Sequence, residues 1–253
     1  MSASMLAIAA SFGAILGSFA NVIIYRVPRG ESIVVPGSRC PHCQVPIRAW
    51  DNIPLVSFLL LHGRCRRCGA RIALRYPLVE GLMAILAATT WAAFLPVPPS
   101  AASLSRFLSA LIFLFLLLVI TFIDLDHQLI LNRITYPGFV IGLALAAAQG
   151  RVGPAALSAL GAAALIASIV ILSRGGMGGG DIKLAGLIGA FLSWPGVAVA
   201  LFAGFLAGGL VGIVLLALRL RGRKDAIPFG PALAVGGVVA LFWGEAIARW
   251  YWP

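Results

Sequence analysis

Long apolar runs recur along the whole chain, and the short stretches between them carry nearly all of its charged residues. A helix of about 20 apolar residues crosses a bilayer, and within lipid only helices and closed barrels satisfy their own backbone polar groups. The 253 residues are 61% hydrophobic and only 11% charged, which is outside the range of soluble domains. We therefore predict an all-α polytopic membrane protein.

Eight apolar segments are candidates for transmembrane helices, although the fourth and sixth are short for a span of about 20 residues. The first segment has no basic residue before it and no small-residue cleavage site after it, so we interpret it as a retained helix and not as a signal peptide. The eight segments cover residues 5–25, 78–95, 104–123, 136–148, 155–172, 184–192, 197–218 and 232–250.

The net charge of +11 has two possible explanations, nucleic-acid binding and membrane topology. If the eight segments alternate in direction with the N-terminus outside, every Lys and Arg except Arg106, Arg151 and Arg249 lies on the cytoplasmic side. This distribution follows the positive-inside rule, so no nucleic-acid partner is expected. We predict three regions: a first transmembrane helix at 1–25, a small cytoplasmic domain at 26–77 and a membrane domain at 78–253.

The predicted cytoplasmic loop contains all four cysteines of the chain, arranged as two CxxC pairs. Their spacing is typical of a tetrahedral four-cysteine zinc site, and the reducing cytosol disfavours permanent disulfides. A redox pair or plain buried thiols are the alternatives. Because four thiolates leave no coordination position for water, we predict a structural zinc that stabilises a loop with little core. Its ligands would be Cys40, Cys43, Cys65 and Cys68.

Acidic residues are scarce, and three of the eight stand at the predicted cytoplasmic ends of segments three and six. They are Asp124 and Asp126 in one segment and Asp181 before the other, where Asp181 follows a run of glycines that does not favour a helix. Ionisable groups at membrane depth are costly and usually functional. Because a helix turns about 100° per residue, Asp124 and Asp126 point to nearly opposite faces, and only one of them can face Asp181.

Two carboxylates held close together share a proton. One can then accept a proton from water while the other donates to a scissile carbonyl, so an aspartic protease needs no nucleophilic Ser or Cys. A metal site is the competing interpretation, since Asp124, Asp126, His127 and Asp181 all offer oxygen or nitrogen ligands.

At these residues the sequence resembles a known family, the type IV prepilin peptidases, a branch of the membrane GxGD aspartic proteases. The resemblance extends over nearly the whole chain, and the family's Ile-Pro-Asn reads Ile130-Leu131-Asn132 here, without the proline. It implies Asp124 and Asp181 as the catalytic pair, with Asp126 as the second candidate. The matching motifs are Gly17-Ser18-Phe19-Ala20-Asn21-Val22, Arg26-Val27-Pro28, the two CxxC pairs, Tyr76-Pro77-Leu78-Val79-Glu80 and Gly178-Gly179-Gly180-Asp181-Ile182-Lys183.

The resemblance also implies substrates and a cofactor. The substrates would be prepilins and pseudopilins of a pilus or secretion machinery, cut after a glycine at the cytoplasmic face of the bacterial inner membrane. The new N-terminus would then be methylated with S-adenosylmethionine, although no GxGxxG follows a strand in this sequence. Glu80 is the candidate cofactor-site residue and base, with a helix N-terminal carboxylate as the alternative.

Small and polar residues near the predicted active face are candidates for contact with the substrate. We expect Gly178, Gly179 and Gly180 to leave room for an extended substrate backbone beside Asp181. Asn21 is a candidate substrate-binding residue, with close helix packing as its alternative.

Two further function classes stay open at the level of the residues. A proton- or metal-coupled transporter would place acids through the bilayer in repeated halves, whereas here they concentrate at one face without a convincing repeat. A non-catalytic, zinc-bearing secretion assembly factor would give the aspartates a structural role only. We favour the prepilin peptidase with methyltransferase activity.

Overall fold

The computed structural model describes residues 3–96, 98–173, 177–220 and 228–251. Within these ranges the chain forms nine α-helices, and its β-pairing is limited to two isolated bridges in the cysteine loop. The helices are α1 (Ala3–Arg26), α2 (Val56–Leu60), α3 (Arg75–Phe94), α4 (Ala101–His127), α5 (Asn132–Ala148), α6 (Val152–Leu172), α7 (Gly179–Leu192), α8 (Gly196–Ala217) and α9 (Gly230–Tyr251).

Each of the eight predicted segments overlaps one of the helices, and α2 is the one helix that lies outside them. In the described residues, six helices are long and apolar enough to cross a membrane, namely α1, α3, α4, α6, α8 and α9. The all-α membrane class is therefore confirmed. With 17 and 14 residues, α5 and α7 are shorter than the other six, and the count of about eight spans stays a prediction.

The chain packs as two compact units, Met1–Ser100 and Ala101–Pro253. In unit 1, α1 lies antiparallel against α3 across small residues. A Cβ added to Gly13 would lie 2.5 Å from the Cβ of Ala87, and one added to Gly17 would lie 2.6 Å from the Cα of Glu80. These glycines therefore allow two backbones to approach closely, as is common between membrane helices. The functional division into 1–25, 26–77 and 78–253 stays a prediction.

In unit 2, α7 is a short central helix whose residues are mostly buried. It contacts α4, α5, α6, α8 and α9, and a Cβ on Gly189 would lie 2.7 Å from the Cα of Ala159 in α6. A helix that is surrounded by protein is not exposed to lipid, so it does not need to be long enough to cross the full thickness of the bilayer. This explains why the stretch that contains Asp181 is shorter than a transmembrane span.

The chain breaks between α4 and α5 even though the proline typical of the family is missing. Gln128 follows the end of α4 with a φ of 53°, and this left-handed conformation stops a helix. Leu131 is extended immediately before Asn132, the first residue of α5. The N–H of Gln128 still donates to the carbonyl oxygen of Asp124 at 2.8 Å, so the break follows the aspartate by less than one turn.

Candidate active site

Asp124 lies in the last turns of α4 and is only 5% exposed. Its Oδ2 accepts a hydrogen bond of 3.0 Å from the N–H of Gly230, the first residue of α9. The free N–H groups of a helix N-terminus favour a negative charge. A Cβ on Gly230 would lie 2.6 Å from the same oxygen, so this contact requires glycine.

Asp181 lies in the first turn of α7 and is 6% exposed. Its Oδ2 accepts the N–H of Gly178 at 3.1 Å, while its own N–H donates to the Gly178 carbonyl, which closes a capping box. Burial raises the pKa of Asp181 to about 6, the hydrogen bond from Gly178 opposes that rise, and the negative charge of Asp124 adds to it. The two aspartates of separate helices are therefore close enough to interact electrostatically.

The other groups of the segment-three motif point elsewhere. Asp126 is exposed, whereas Asp124 is buried, as expected for residues two positions apart on a helix. His127, the last residue of α4, is exposed as well. Among the described residues, the four cysteines are the only group of three or more candidate ligands whose atoms converge. Within the described residues, the side chains of the competing metal site (Asp124, Asp126, His127 and Asp181) therefore do not converge on one point.

The three glycines before Asp181 have different surroundings. Gly178 holds the carboxylate, as described above. In the part of the chain that the structure describes, no heavy atom lies within 4 Å of a Cβ built on Gly179, while one on Gly180 would lie 2.9 Å from the Cβ of Ile130. Space for another chain is thus present beside Gly179, and Gly180 is required by packing. The assignment of all three to substrate binding stays a prediction.

Two contacts near the aspartates involve residues to which the sequence assigned no role. Lys183 Nζ donates to Asn132 Oδ1 at 2.6 Å and so links α7 to the start of α5. Gly230 contacts Asp124 although they are 106 positions apart in the sequence. The only local sequence signal at Gly230 is the Gly-Pro pair at the start of the last apolar run. Proline is favoured in the first turn of a helix. That signal indicates a helix start but not its partner.

The four cysteine sulfurs converge in the loop of unit 1. All four lie within 4.8 Å of one another, and the Sγ atoms of Cys40 and Cys68 are 3.8 Å apart. Zinc bonds of about 2.3 Å in a tetrahedron place thiolates about 3.8 Å apart. The cluster can therefore bind a metal, and its donor set and dimensions fit zinc.

The two CxxC pairs form matching turns. The N–H of Cys40 donates to Val45, and that of Cys65 donates to Ala70. Three backbone hydrogen bonds of the first turn, including these, recur in the second with an offset of 25 residues. The N–H groups of Cys68 and Arg67 lower the pKa of the Cys65 thiol to about 7, which favours the thiolate that a metal binds.

A second group of buried polar side chains lines an open cleft of about 1390 Å³ in unit 1. Glu80 is buried, accepts the N–H of Leu55 at 2.8 Å and also bonds to Ser18. It is the sixth residue of α3, beyond the first turn where the dipole would favour it. Asn21 is 3% exposed, and its Nδ2 donates to the carbonyl of Tyr76 while its Oδ1 has no partner.

The match to family models covers both units. Residues 11–94 match the bacterial peptidase A24 N-terminal domain, and residues 111–213 match the type IV leader peptidase family. No solved structure matches the chain.

Curated relatives match at full length and share one name, "Prepilin leader peptidase/N-methyltransferase". The protein of Aeromonas hydrophila is 37% identical over 95% of this chain and 91% of its own length. That of Legionella pneumophila is 34% identical, over 95% and 92%. That of Bacillus subtilis (strain 168) is 36% identical over 98% of both chains. This chain therefore belongs to the type IV leader peptidase family.

Proposed function

We propose that this integral membrane protein is an aspartic endopeptidase that removes the leader peptides of type IV prepilins and pseudopilins, with Asp124 and Asp181 as its catalytic pair. The observation that carries the proposal is that two buried carboxylates, from α4 and α7, lie close enough for the charge of Asp124 to raise the pKa of Asp181. Each of them accepts a backbone N–H at the start of a helix. The shared name of the relatives supports the same activity.

The electrostatic contact between the two aspartates indicates how they divide the chemistry. The rise in the pKa of Asp181 means that the pair retains one proton at conditions where an isolated aspartate would be ionised. The ionised carboxylate takes a proton from a water molecule as that water attacks the carbonyl carbon, and the protonated carboxyl donates to the carbonyl oxygen. The diol that results collapses when the amide nitrogen leaves with a proton. The pair titrates as one unit.

Access for the substrate fits the same arrangement. Leader cleavage requires an extended backbone beside the carboxylates, and the open space at Gly179 lies two residues from Asp181. The positive-inside distribution of Lys and Arg supports a site that faces the cytoplasm of the bacterial inner membrane. Partners beyond the prepilins and the bilayer would be the pilus or secretion machinery, reached through the substrates.

The cleft of unit 1 supports the methyl transfer named in the relatives. S-adenosylmethionine, when bound, supplies a methyl group on a sulfonium. Transfer needs a neutral amine, so Glu80 would accept a proton from the ammonium of the new N-terminus. The unpartnered Oδ1 of Asn21 would accept the remaining N–H. The four cysteines would hold a structural zinc that shapes the loop over this cleft.

A cleavage assay tests the catalytic pair. Purified protein in detergent is incubated with a prepilin whose leader ends in glycine, alongside Asp124→Asn and Asp181→Asn variants. Asparagine keeps the hydrogen-bond acceptor and the size of the side chain but cannot exchange the proton. We expect each variant to lose at least about a thousandfold in rate, the range of a lost general acid or base.

The matched control is Asp126→Asn, which removes the same charge from the exposed face of α4. It should cut at close to the wild-type rate. An uncut leader in the wild-type reaction would show that the proposed function is wrong. A fully active Asp124→Asn variant, with an inactive Asp126→Asn variant, would move the role to Asp126.

A further inference from the structure

Helix α2, within the cysteine loop, presents an uncovered apolar face. Val56, Leu59 and Leu60 are spaced so that they share one side of the helix, and they are 49%, 72% and 72% exposed. Little of the loop is packed into a core, since Cys40 is its only buried residue between positions 26 and 77 and other apolar side chains such as Val34 and Trp50 are exposed as well. Exposed apolar clusters of this kind mark a surface that contacts a partner or a membrane.

The start of α2 is attached to a membrane helix at a defined depth. The N–H of Leu55 donates to Glu80, and the Cδ2 of Leu55 lies 3.9 Å from the position of a Cβ on Gly81. Gly81 is six residues beyond the start of α3 at Arg75. At about 1.5 Å per residue, this contact lies about 9 Å along the helix. Helix α2 therefore begins beside the apolar part of α3 and not above its end.

This attachment point is on an exposed, apolar side of α3. Leu78, Leu82 and Ile85 are all exposed and follow one another at helical spacing. Gly81 stands three residues after Leu78 and four before Ile85, so it belongs to the same stripe. Leu74, one turn before Leu78, extends the exposed apolar stripe towards the loop. The apolar face of α2 thus continues the exposed apolar stripe of a helix that is long and apolar enough to cross a membrane.

The charge of the loop favours one kind of bilayer. Nine arginines and two acids, Glu31 and Asp51, lie between positions 26 and 75. One of the two acids is already neutralised, because Asp51 forms an ion pair of 2.7 Å with Arg66. Basic residues next to a membrane helix bind anionic headgroups, each contributing about 1 kcal/mol near the surface. The loop is therefore complementary to phospholipids with a net negative charge.

We propose that α2 is a membrane-inserted helix of the cysteine loop. Val56, Leu59 and Leu60 lie at the boundary between headgroups and acyl chains, and the surrounding arginines contact the phosphates of anionic phospholipids. The bilayer thereby holds the turn at Leu55, whose φ of 61° is costly for a leucine. Because this turn donates to Glu80, insertion of α2 also fixes one wall of the cleft in unit 1.

Photo-crosslinking to lipid tests the insertion directly. Benzoylphenylalanine is placed at Leu59 or Leu60 in the full chain, which is reconstituted into vesicles of phosphatidylethanolamine and phosphatidylglycerol. Adducts are identified by intact mass after irradiation. Leu157 on α6, also 72% exposed, is the matched position on a long apolar helix. Gln44, which is exposed in the first CxxC turn, is the control position in a part of the loop outside α2.

We expect lipid adducts at 59 and 60 in yields similar to that at 157, and roughly tenfold fewer at 44, because only the apolar face of an interfacial helix enters the acyl region. Yields at 59 and 60 as low as that at 44 would overturn the proposal. Adducts with the mass of a second chain would assign the face to a dimer and overturn it as well. Equal yields in vesicles of phosphatidylcholine alone would overturn the role of the arginines.

Discussion

The two units hold their buried carboxylates in different ways. In unit 2, Asp124 and Asp181 each accept a hydrogen bond from a glycine N–H at the start of a packed helix. In unit 1, Glu80 accepts its bond from Leu55, which lies in an irregular turn of the cysteine loop with a φ of 61° and a ψ of −49°. The first arrangement depends on helix packing alone. The second depends on a loop that must itself be held.

This difference indicates which part of the chain would depend on a metal bound by the four cysteines. Helix α7 buries most of its side chains against its neighbours, so the geometry around Asp181 is stabilised by apolar packing. The cysteine loop buries only Cys40 and is held by the four thiols, the Asp51–Arg66 ion pair and its turns. An exposed ion pair contributes little. A metal bound by the four cysteines would therefore be the main source of stability for the loop.

After removal of a catalytic carboxylate itself, the largest expected effect comes from one added methyl group in unit 2. In Gly230→Ala, the new Cβ would lie 2.6 Å from Asp124 Oδ2, so either the carboxylate or the start of α9 must shift. A displacement of about 1 Å in a catalytic group can cost about a hundredfold in rate, and we expect a fall in prepilin cleavage of that order. The measurement is kcat/KM, together with the thermal unfolding midpoint.

Gly209→Ala on α8 is the matched control, because no heavy atom lies within 4 Å of its added Cβ. It should leave cleavage unchanged. If Gly230→Ala also cuts normally, the glycine N–H is not needed to hold Asp124, and packing around α9 is more tolerant than the structure indicates.

Removal of the metal should affect the proposed activities of the two units differently. Chelation of the metal, followed over time, is expected to make the four thiols titratable and the loop sensitive to trypsin, because the loop has almost no core of its own. Methyl transfer should then be lost, while prepilin cleavage stays within about threefold of its starting rate, since unit 2 is stabilised by packing.

Glu80→Gln is the control for that experiment, because glutamine keeps an acceptor for the N–H of Leu55 but is not a base. It should lose methyl transfer with the thiols still protected. A parallel fall of cleavage and methyl transfer on chelation would contradict the separation and make the loop necessary for both activities.

Protonation of Asp181 should give the next largest effect, on stability. Its pKa is raised to about 6 by burial, so between pH 4 and 6 the folded chain binds more protons than the unfolded chain. The contribution of Asp181 to stability is therefore fully present below about pH 4 and is lost as the pH rises through about 6. Asp181→Asn removes this loss and should stabilise unit 2 by up to about 3 kcal/mol at pH 7.5.

The unfolding midpoint in detergent, measured for both proteins across this pH range, checks the sign. The two midpoints should converge near pH 4. An Asp181→Asn variant that is less stable than the wild type at pH 7.5 would show that the ionised carboxylate stabilises the fold, against the rise in its pKa.

Much of the membrane architecture could be predicted from the sequence, because apolar length and charge placement report directly on the bilayer. Hydropathy predicted a helix at each of the eight segments, and each of them overlaps one. The rotation of about 100° per residue in a helix predicted that Asp124 and Asp126 would have opposite environments, as they do. The contact between Gly230 and Asp124 could not be found in this way. It joins residues 106 positions apart through one backbone N–H, and no local pattern encodes such a pairing.

In the cysteine loop, too, the local sequence pattern predicts some structural features and misses others. The spacing of the CxxC pairs predicted a cluster, and the four sulfurs do converge. Helix α2 was missed, since five residues are too few for a hydrophobic period to be recognised. The turn at Leu55 was missed as well, because leucine carries no local signal for a positive φ.

The smallest predicted effect lies within the cysteine loop, where the two CxxC turns carry different residues at a matching position of positive φ. Gln44 and Gly69 both have a positive φ, 58° and 70°, but only glycine adopts it without a steric cost. Gly69→Ala, with open space around its Cβ, should weaken zinc retention by about 1 kcal/mol, or roughly fivefold in chelator competition. Gln44→Gly should strengthen retention by less, since glycine gains freedom in the unfolded chain. No shift in either variant would show that the turns are held by the metal regardless of their backbone preference.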